Sequence, residues 1–434
     1  MTGTILSIGD ELVLGQTVDT NSAWLSQQLA AIGCIILRHL TIGDHQLQIE
    51  SALRESAQLS DVVLISGGIG PTEDDLTRQA LASVMNEPLE LNAIWLAELE
   101  KFFSQRGRPM PPMNRIQAMI PRGALMIFNH AGTAAGIKTT LQRGDGKPCS
   151  VYVMPGVPKE MKKMFQTSVL PELQARSGGA VILSRTLHTF GLGESAIAER
   201  LGPLMHRDRN PSVGTTVSAG VVSLRINSRF DSMKRATDEL ARIESECRSA
   251  LGDLIYGQDE QTLQEVVANQ LFEINARLSA GATPYTVTTA ESCTGGLLAK
   301  LLTDLSGSSG YFHRGFVTYS NEAKADLLGV DPQLIQQYGA VSEEVAKAMA
   351  LGALDRANAK AALAISGIAG PTGGTPSKPV GTVCIALATV DGSAPQIHAR
   401  TFLFPGDRDM IRDRSAKMAL TMLRFHLLGK PLPF

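Results

Sequence analysis

The sequence predicts an α/β protein: two three-layer α/β domains with mostly parallel sheets, joined by a small α+β connector. Short apolar runs such as "TILSIG" (4–9), "DVVLISGG" (61–68) and "AALAISG" (361–367) alternate with helix-like stretches near both ends of the chain. That alternation is the pattern of parallel sheets. Between about 171 and 257 the rhythm changes to β-like stretches and one long polar helix. The 434 residues also exceed a single domain of roughly 100–200 residues.

The first domain, 1–170, opens with strand "TILSIG", then a helix "NSAWLSQQLAAIG" (21–33) started by Asn21 or Ser22 and closed by Gly33. A second strand "CIILRHLTIG", a helix over 47–59 and the strand 61–68 follow. The connector, 171–257, holds "SRTLHTFGLG", helix-like "ESAIAERLGPLM", β-like "TTVSAG" and "VVSLRINSR", and a helix from Asp231 to Leu251. In the last domain, 258–434, a helix beginning near 262 leads to strands "YTVTTA", "GFVTYS", "AALAISG" and "GTVCIALAT", with helices between them.

Composition narrows the function. The chain is 44% hydrophobic and 19% charged with a formal net charge of -2, so no polyanion-binding surface is expected. No apolar run approaches the ~18 residues of a membrane span, and no signal peptide is apparent. The five cysteines are far apart and odd in number, which fits reduced thiols in a cytoplasmic protein. The histidines lack zinc-type spacing.

"SGGIGPTEDDLT" (66–77) follows a strand and precedes a helix, where phosphate loops sit. Glu73 occupies the position of the dinucleotide fingerprint's third glycine, and no Gly-Lys-Ser/Thr follows. Asp74 and Asp75 instead place acids beside glycine amides, which suits a cation-bridged phosphate. The competing explanation is a tight turn at Gly67–Gly70 with Thr72 and Asp75 capping the helix. "GDEL" (9–12) puts Asp10 and Glu11 at the same sheet edge, and "NHAGTAAG" (129–136) and "MPGVPKEM" (154–161) add small-residue loops.

Taken with "GDELVLGQTVDTN", these segments resemble the molybdopterin-binding fold of the MogA/MoaB type, in the version found at the N-terminus of the CinA (competence/damage-inducible protein A) family. The resemblance implies a nucleotide-type ligand held by Gly67, Gly68, Gly70, Thr72, Asp75, Gly132, Thr133, Pro155 and Gly156. It also implies metal-dependent ADP-ribose pyrophosphatase activity, with magnesium, manganese or cobalt held among Asp10, Glu11, Asp74 and Asp75. A non-catalytic pterin or nucleotide binder, acting as a scaffold, is the alternative.

In the last domain "TTAESCTGG" (288–296) places Ser292 and Cys293 where a strand gives way to a helix. A side chain there projects from the sheet's carboxyl edge, and the amides of Cys293 to Gly295 can meet an oxyanion. His313 has no evident orienting partner. Lys324, just past "GFVTYS", is the better base, because a desolvated lysine can titrate near ~7–8. The plainer alternatives are a helix cap for Ser292, a core role for Cys293 and a solvated Lys324. Arg408 and Arg412, spaced i, i+4 at a helix start, suit a phosphate or ion pairs with Asp407, Asp409 or Asp413.

The stretch from "TTAESCTGG" through "TYSNEAKADLLGV", "YGAVS", "SGIAGPTGG", "KPVGTV" and "GDRDMIR" resembles the CinA C-terminal domain, which also occurs alone as the bacterial nicotinamide mononucleotide (NMN) amidohydrolase. That implies hydrolysis of the NMN carboxamide by a Ser–Lys pair, Ser292 and Lys324, without a cofactor. Glu291, Cys293, Thr294, Gly295, Gly296, Ser308, Ser309, Tyr319, Gly367 and Gly370 would shape the substrate site, with Arg408 and Arg412 on the 5′-phosphate. The expected partners are the nucleotides NMN and ADP-ribose and a second copy of the chain in a homodimer. The connector lacks a GXXG loop and a basic excess, so nucleic acid is not expected.

Overall fold

The computed structural model describes residues 1–178, 181–279, 281–390 and 394–433. They divide into two compact units, 1–184 with 227–241 and 185–226 with 242–434.

In the first unit six strands make one sheet: β1 (Thr2–Ile8), β2 (Ile35–Ile42), β3 (Val62–Ser66), β6 (Leu125–Ile127), β7 (Gly136–Gln142) and β8 (Pro148–Met154), with β4 (Leu89–Leu91) and β5 (Met119–Pro121) paired apart from it. The order is β2-β1-β3-β8-β7-β6. The first four strands are parallel; β7 runs opposite to β8, and β6 opposite to β7. Ile5, Val62 and Leu64 pack on one face against Leu25, Leu29 and Phe165. Leu6, Val63 and Ile65 pack on the other against Ile49, Leu53 and Leu81. Covering on both faces explains why these strands read as continuous apolar runs.

Two boundaries differ from the sequence reading. The helix Thr20–Ala31 is capped by Asp19, whose carboxylate accepts from Ser22 N at 3.0 Å, rather than by Asn21 or Ser22. The boundary placed at 170 falls inside a helical run from Pro158 to Arg176 that contains a π-helical turn at Phe165–Val169.

β9 (Val181–Phe190), β10 (Ser212–Ser218), β11 (Val221–Phe230) and β12 (Ile255–Gln258) form a sheet ordered β10-β11-β9-β12. The long polar helix is Met233–Leu251.

The second unit's main sheet comprises β13 (Val287–Glu291), β14 (Phe312–Val317), β15 (Ala361–Gly367), β16 (Thr382–Thr389) and β17 (Gln396–Leu403), in the order β14-β13-β15-β16-β17. β14, β13 and β15 are parallel; β16 runs opposite to β15, and β17 opposite to β16. Its two faces differ in bulk. Val287, Leu363, Ile365, Ile385 and Leu387 meet helices Leu263–Ala276 and Arg408–Leu427. Ala290, Ala362, Ala364, Ala386 and Ala388 meet helix Glu343–Ala357. Small residues let that helix lie close, and a Cβ at Gly352 would run into Leu328 O. Helix Asn321–Leu328, which carries Lys324, is thereby held against it.

All five cysteines are buried and free. Among the described residues no helix is long and apolar enough to cross a membrane.

Candidate functional site

Ser292 leaves the sheet in register, its N–H donating to Ile365 O at 2.9 Å while Thr318 N donates to Glu291 O at 2.8 Å. The chain then turns through Gly295 and Gly296, whose positive φ angles of 58° and 95° favour glycine. Glu291, fully buried, is turned into the start of helix Leu297–Leu302. Its carboxylate accepts from the amides of Gly296, Leu298 and Ala299 at 3.0, 3.0 and 2.8 Å. Glu291 therefore serves the helix start and is not open to a substrate. Ser292 is released from any capping duty.

The Ser292 hydroxyl meets Lys324, whose Nζ lies 3.3 Å from Ser292 Oγ. Lys324 is 1% exposed, so it is no solvated surface lysine. Its Nζ also lies 3.0 Å from Thr318 O, 3.3 Å from Ser320 O and 3.5 Å from Tyr319 O. Burial lowers the Lys324 pKa, against the opposing pull of Cys293 and Glu322. No cationic neighbour is among the causes; desolvation accounts for the shift. His313 is exposed near the start of β14. The buried Cys293 thiol is pushed up to about 11, chiefly by burial, which keeps it protonated and unreactive.

Gly295 N is occupied by Ser292 O at 3.0 Å. The amide of Thr294, in contrast, donates to no backbone acceptor among the described residues, and that of Cys293 faces its own sulfur. Arg412 grips the other side of this turn, with Nε 3.2 Å from Cys293 O and Nη2 2.9 Å from Thr294 O. A trans peptide is planar, with its C=O and N–H opposed. Holding Cys293 O in one direction therefore aims Thr294 N–H in the other.

Arg408 is exposed. Its Nη1 donates to Gly370 O at 2.6 Å and its Nη2 to the Tyr319 hydroxyl at 2.9 Å. The ion-pair alternative holds only for Arg412 with Asp409, at 3.6 Å. Asp407 caps the helix by accepting from Met410 N, and Asp413 pairs with Lys417. Gly367 ends β15, and Gly370 lies in the loop beyond it.

Ser308 and Ser309 are elsewhere. β13 and β14 are parallel, with Val287 opposite Phe312 and Glu291 opposite Val317. The turn Ser308–Gly310 that enters β14 thus lies at the amino edge, a strand's length from Ser292.

In the first unit a cleft of about 540 Å³ is lined by Gly67, Gly68, Gly70, Thr72, Thr133, Pro155 and Gly156 together with Glu11, Asp44, Asp74 and Asp75. At Gly67, φ is 110° and a Cβ would strike Ile8 O. The amides of Gly68 and Ile69 have no acceptor among the described residues. Asp75 organises the loop, accepting from Gly70 N at 2.6 Å and Thr72 N at 2.9 Å. It does not cap helix Thr77–Met85, which has no side-chain cap. A Cβ on Gly132 would run into the Glu160 carboxylate, and Asn129 joins that loop to Glu160 at 2.6 Å.

Asp44, which the sequence reading passed over, accepts from Asp10 N at 3.0 Å, and Asp10 accepts from Asp44 N at 3.0 Å. Burial raises the Asp44 pKa, and the charges of Asp10, Asp74 and Glu11 add to the rise. Its signal was available: "GDH" (43–45) follows β2 just as "GDE" (9–11) follows β1. Among the described residues no three His, Cys, Asp or Glu side chains form a cation cage. These are hard oxygen donors, fit to share a magnesium-like ion with a bound phosphate but not to enclose one alone.

The architecture defines an α/β protein with two carboxyl-edge sites, one a glycine-loop cleft ringed by acids and the other a half-buried serine in contact with a buried lysine. Three family models cover these parts: "Probable molybdopterin binding domain" over residues 4–175, "Damage-inducible protein CinA KH domain" over 184–257 and "CinA C-terminal domain" over 271–427. The chain is 45% identical to a "Putative competence-damage inducible protein" of Symbiobacterium thermophilum, with 99% of each chain covered. It is 42% identical to a "CinA-like protein" of Geobacter sulfurreducens, with 98% of each covered. A crystal structure titled "competence/damage inducible protein CihA" from Agrobacterium tumefaciens is 41% identical, covering 38% of this chain and 95% of that one, at a TM-score of 0.34. On its full-length relatives the chain belongs to the CinA family.

Proposed function

We propose that the second unit hydrolyses the carboxamide of NMN, giving nicotinate mononucleotide and ammonia. The observation that carries this reading is the 3.3 Å contact between Ser292 Oγ and the Nζ of a lysine only 1% exposed. Neutral Lys324 has two N–H donors for Thr318 O and Ser320 O, leaving its lone pair for the serine proton. Ser292 Oγ attacks the carboxamide carbon and its proton passes to Nζ. The oxyanion forms against the amide of Thr294. Lys324 then protonates the departing amide nitrogen, which leaves as ammonia; a water deprotonated by Lys324 hydrolyses the acyl-enzyme, and the proton returns to Ser292 Oγ. Arg408, with two of its five N–H groups used, is the group for the 5′-phosphate. Arg412 acts on the turn instead. The test is ammonia release from NMN by purified protein, wild type against Ser292→Ala; equal rates would remove Ser292 from the chemistry.

A second activity, ADP-ribose pyrophosphate hydrolysis with a divalent cation, is our reading of the first unit. Supporting it are the unengaged Gly68 and Ile69 amides and the facing carboxylates of Glu11, Asp44 and Asp74. Absence of AMP release with magnesium, manganese and cobalt would leave a binding module. A cytoplasmic homodimer is the expected assembly, checked by light scattering.

A further inference from the structure

Two motifs of the second unit have no part in the chemistry above: "YGAVS" (338–342) and "KPVGTV" (378–383). The structure brings them together at the carboxyl edge of the sheet. Lys378 Nζ donates to Val341 O at 2.7 Å and to Tyr338 O at 2.9 Å. A third tie comes from the sheet itself, where the Ser366 hydroxyl donates to Ala340 O at 2.6 Å. The turn between helices Pro332–Tyr338 and Glu343–Ala357 thus has three of its carbonyls held from outside.

That turn stands beside the nucleophile. The register that sets Glu291 opposite Ile365 puts Ser292 opposite Ser366, one strand spacing of about 4.8 Å away. Alternation along the strands places both on the face of Ala290 and Ala364. Leu328, from the helix that carries Lys324, packs on the same face. Ser366 is 1% exposed, so its hydroxyl is committed to Ala340 O and not to a ligand. Lys378 is anchored at its root as well as at its tip. Its N–H donates to Thr375 Oγ1 at 3.0 Å, and its C=O accepts from Thr375 N at 2.9 Å. The base of the loop is closed by Ile368 N on Thr382 O at 2.9 Å and Gly381 N on Ile368 O at 2.8 Å. A lysine fixed at both ends carries the rigidity of the sheet into the turn.

We propose that Lys378 is a positioning residue for the second unit's reaction: it fixes the 338–342 turn as the wall on which the ring bearing the carboxamide rests while Ser292 attacks. The inference rests on the amidase reading and adds a residue that touches neither the substrate nor the reacting atoms. A wall that meets the substrate before and during attack favours both states alike, so loosening it raises KM and spares kcat. The experiment is initial-rate ammonia release from NMN by the full chain, with melting temperatures measured alongside. Lys378→Met should raise KM about fivefold, the scale of one net hydrogen bond, with kcat within about twofold. Lys378→Arg keeps a donor for each carbonyl and should hold KM within about twofold of wild type. Ser366→Ala frees the same turn from its other side. Combined with Lys378→Met it should therefore raise KM by less than the product of the two single effects. A fall in kcat at unchanged KM, no change in either, or a lower melting temperature alone would overturn the positioning role and leave the amidase reading standing. So would a double variant that matches the full product. Wild-type protein that releases no ammonia from NMN would overturn both.

Discussion

The two units place their chemistry at the same spot, the carboxyl edge of parallel strands, yet in opposite states of readiness. In the second unit the reacting groups already touch and Lys324 is buried. In the first, Asp10, Glu11 and Asp74 are exposed around a wide cleft, and burial together with these like charges raises the Asp44 pKa. A covalent mechanism can be built from protein groups alone, so the protein fixes them beforehand. The cleft of the first unit, on our reading a site for phosphates and a cation, gathers negative charge that only a ligand and ion can balance. The comparison teaches that contact with a buried partner marks the first kind of site, and clustered like charge that no protein group balances marks the second.

Breaking the prebuilt centre should have the largest effect. Ser292→Ala should cut NMN deamidation by about 10³-fold or more, whereas Cys293→Ser should keep most of it, because a thiol held near 11 is no nucleophile at neutral pH. The reverse pattern, read from initial rates of ammonia release, would make this a thiol amidase.

Lys324 comes next. Lys324→Ala and Lys324→Arg should both lose about 10²–10⁴-fold, since arginine stays protonated at working pH. The lysine pKa is lowered in the fold, so wild-type kcat/KM should rise with pH through an inflection below the ordinary ~10.4. The same shift has a sign for stability. Between the folded and unfolded values the unfolded chain binds more protons, so stability rises with pH across that window and the penalty is fully present below it. Lys324→Met should therefore raise the neutral-pH melting temperature while abolishing activity. A lower melting temperature with a flat pH profile would assign the lysine a purely structural role.

Arg412 sharpens the comparison at a smaller scale. If it aims the Thr294 amide through Cys293 O and Thr294 O, Arg412→Lys should lower kcat about tenfold with little change in KM, a fraction of the 10²–10³ expected for losing an oxyanion donor outright. Arg408→Ala should instead raise KM for NMN. The opposite split would return Arg412 to the phosphate.

What the sequence revealed follows the same division. Strand–helix alternation located the parallel strands, and "TTAESCTGG" with "TYSNEAK" marked the serine and lysine, because these features are local. β17 escaped notice since its outward Gln396, His398 and Arg400 hide an edge strand. Ser308 and Ser309 were misplaced because nearness in sequence to Ser292 says nothing of which sheet edge a turn occupies; the parallel register of β13 and β14 decides it. Glu291 looked like a ligand-binding acid, and only the turn's geometry shows its carboxylate consumed by three amides. Asp44 had a signal in "GDH", but its meaning depends on Asp10 lying opposite, two strands' ends brought together by β1–β2 pairing.

The smallest effect on NMN chemistry is expected from the first unit, and that makes it informative. Asp75 accepts from Gly70 N and Thr72 N. In Asp75→Asn one carboxylate oxygen becomes an NH₂, which cannot accept, so one of those amides loses its partner and the glycine loop loosens. Binding of a phosphate ligand and any metal-dependent AMP release from ADP-ribose should fall about tenfold, the scale of a charge-assisted hydrogen bond of ~1.5 kcal/mol. NMN deamidation should stay within about twofold of wild type, because Ser292, Lys324 and the turn they use belong to the other unit. A parallel fall in both activities would mean that the prebuilt centre depends on the ligand-completed cleft, and the contrast between the two sites would have to be redrawn as a coupling.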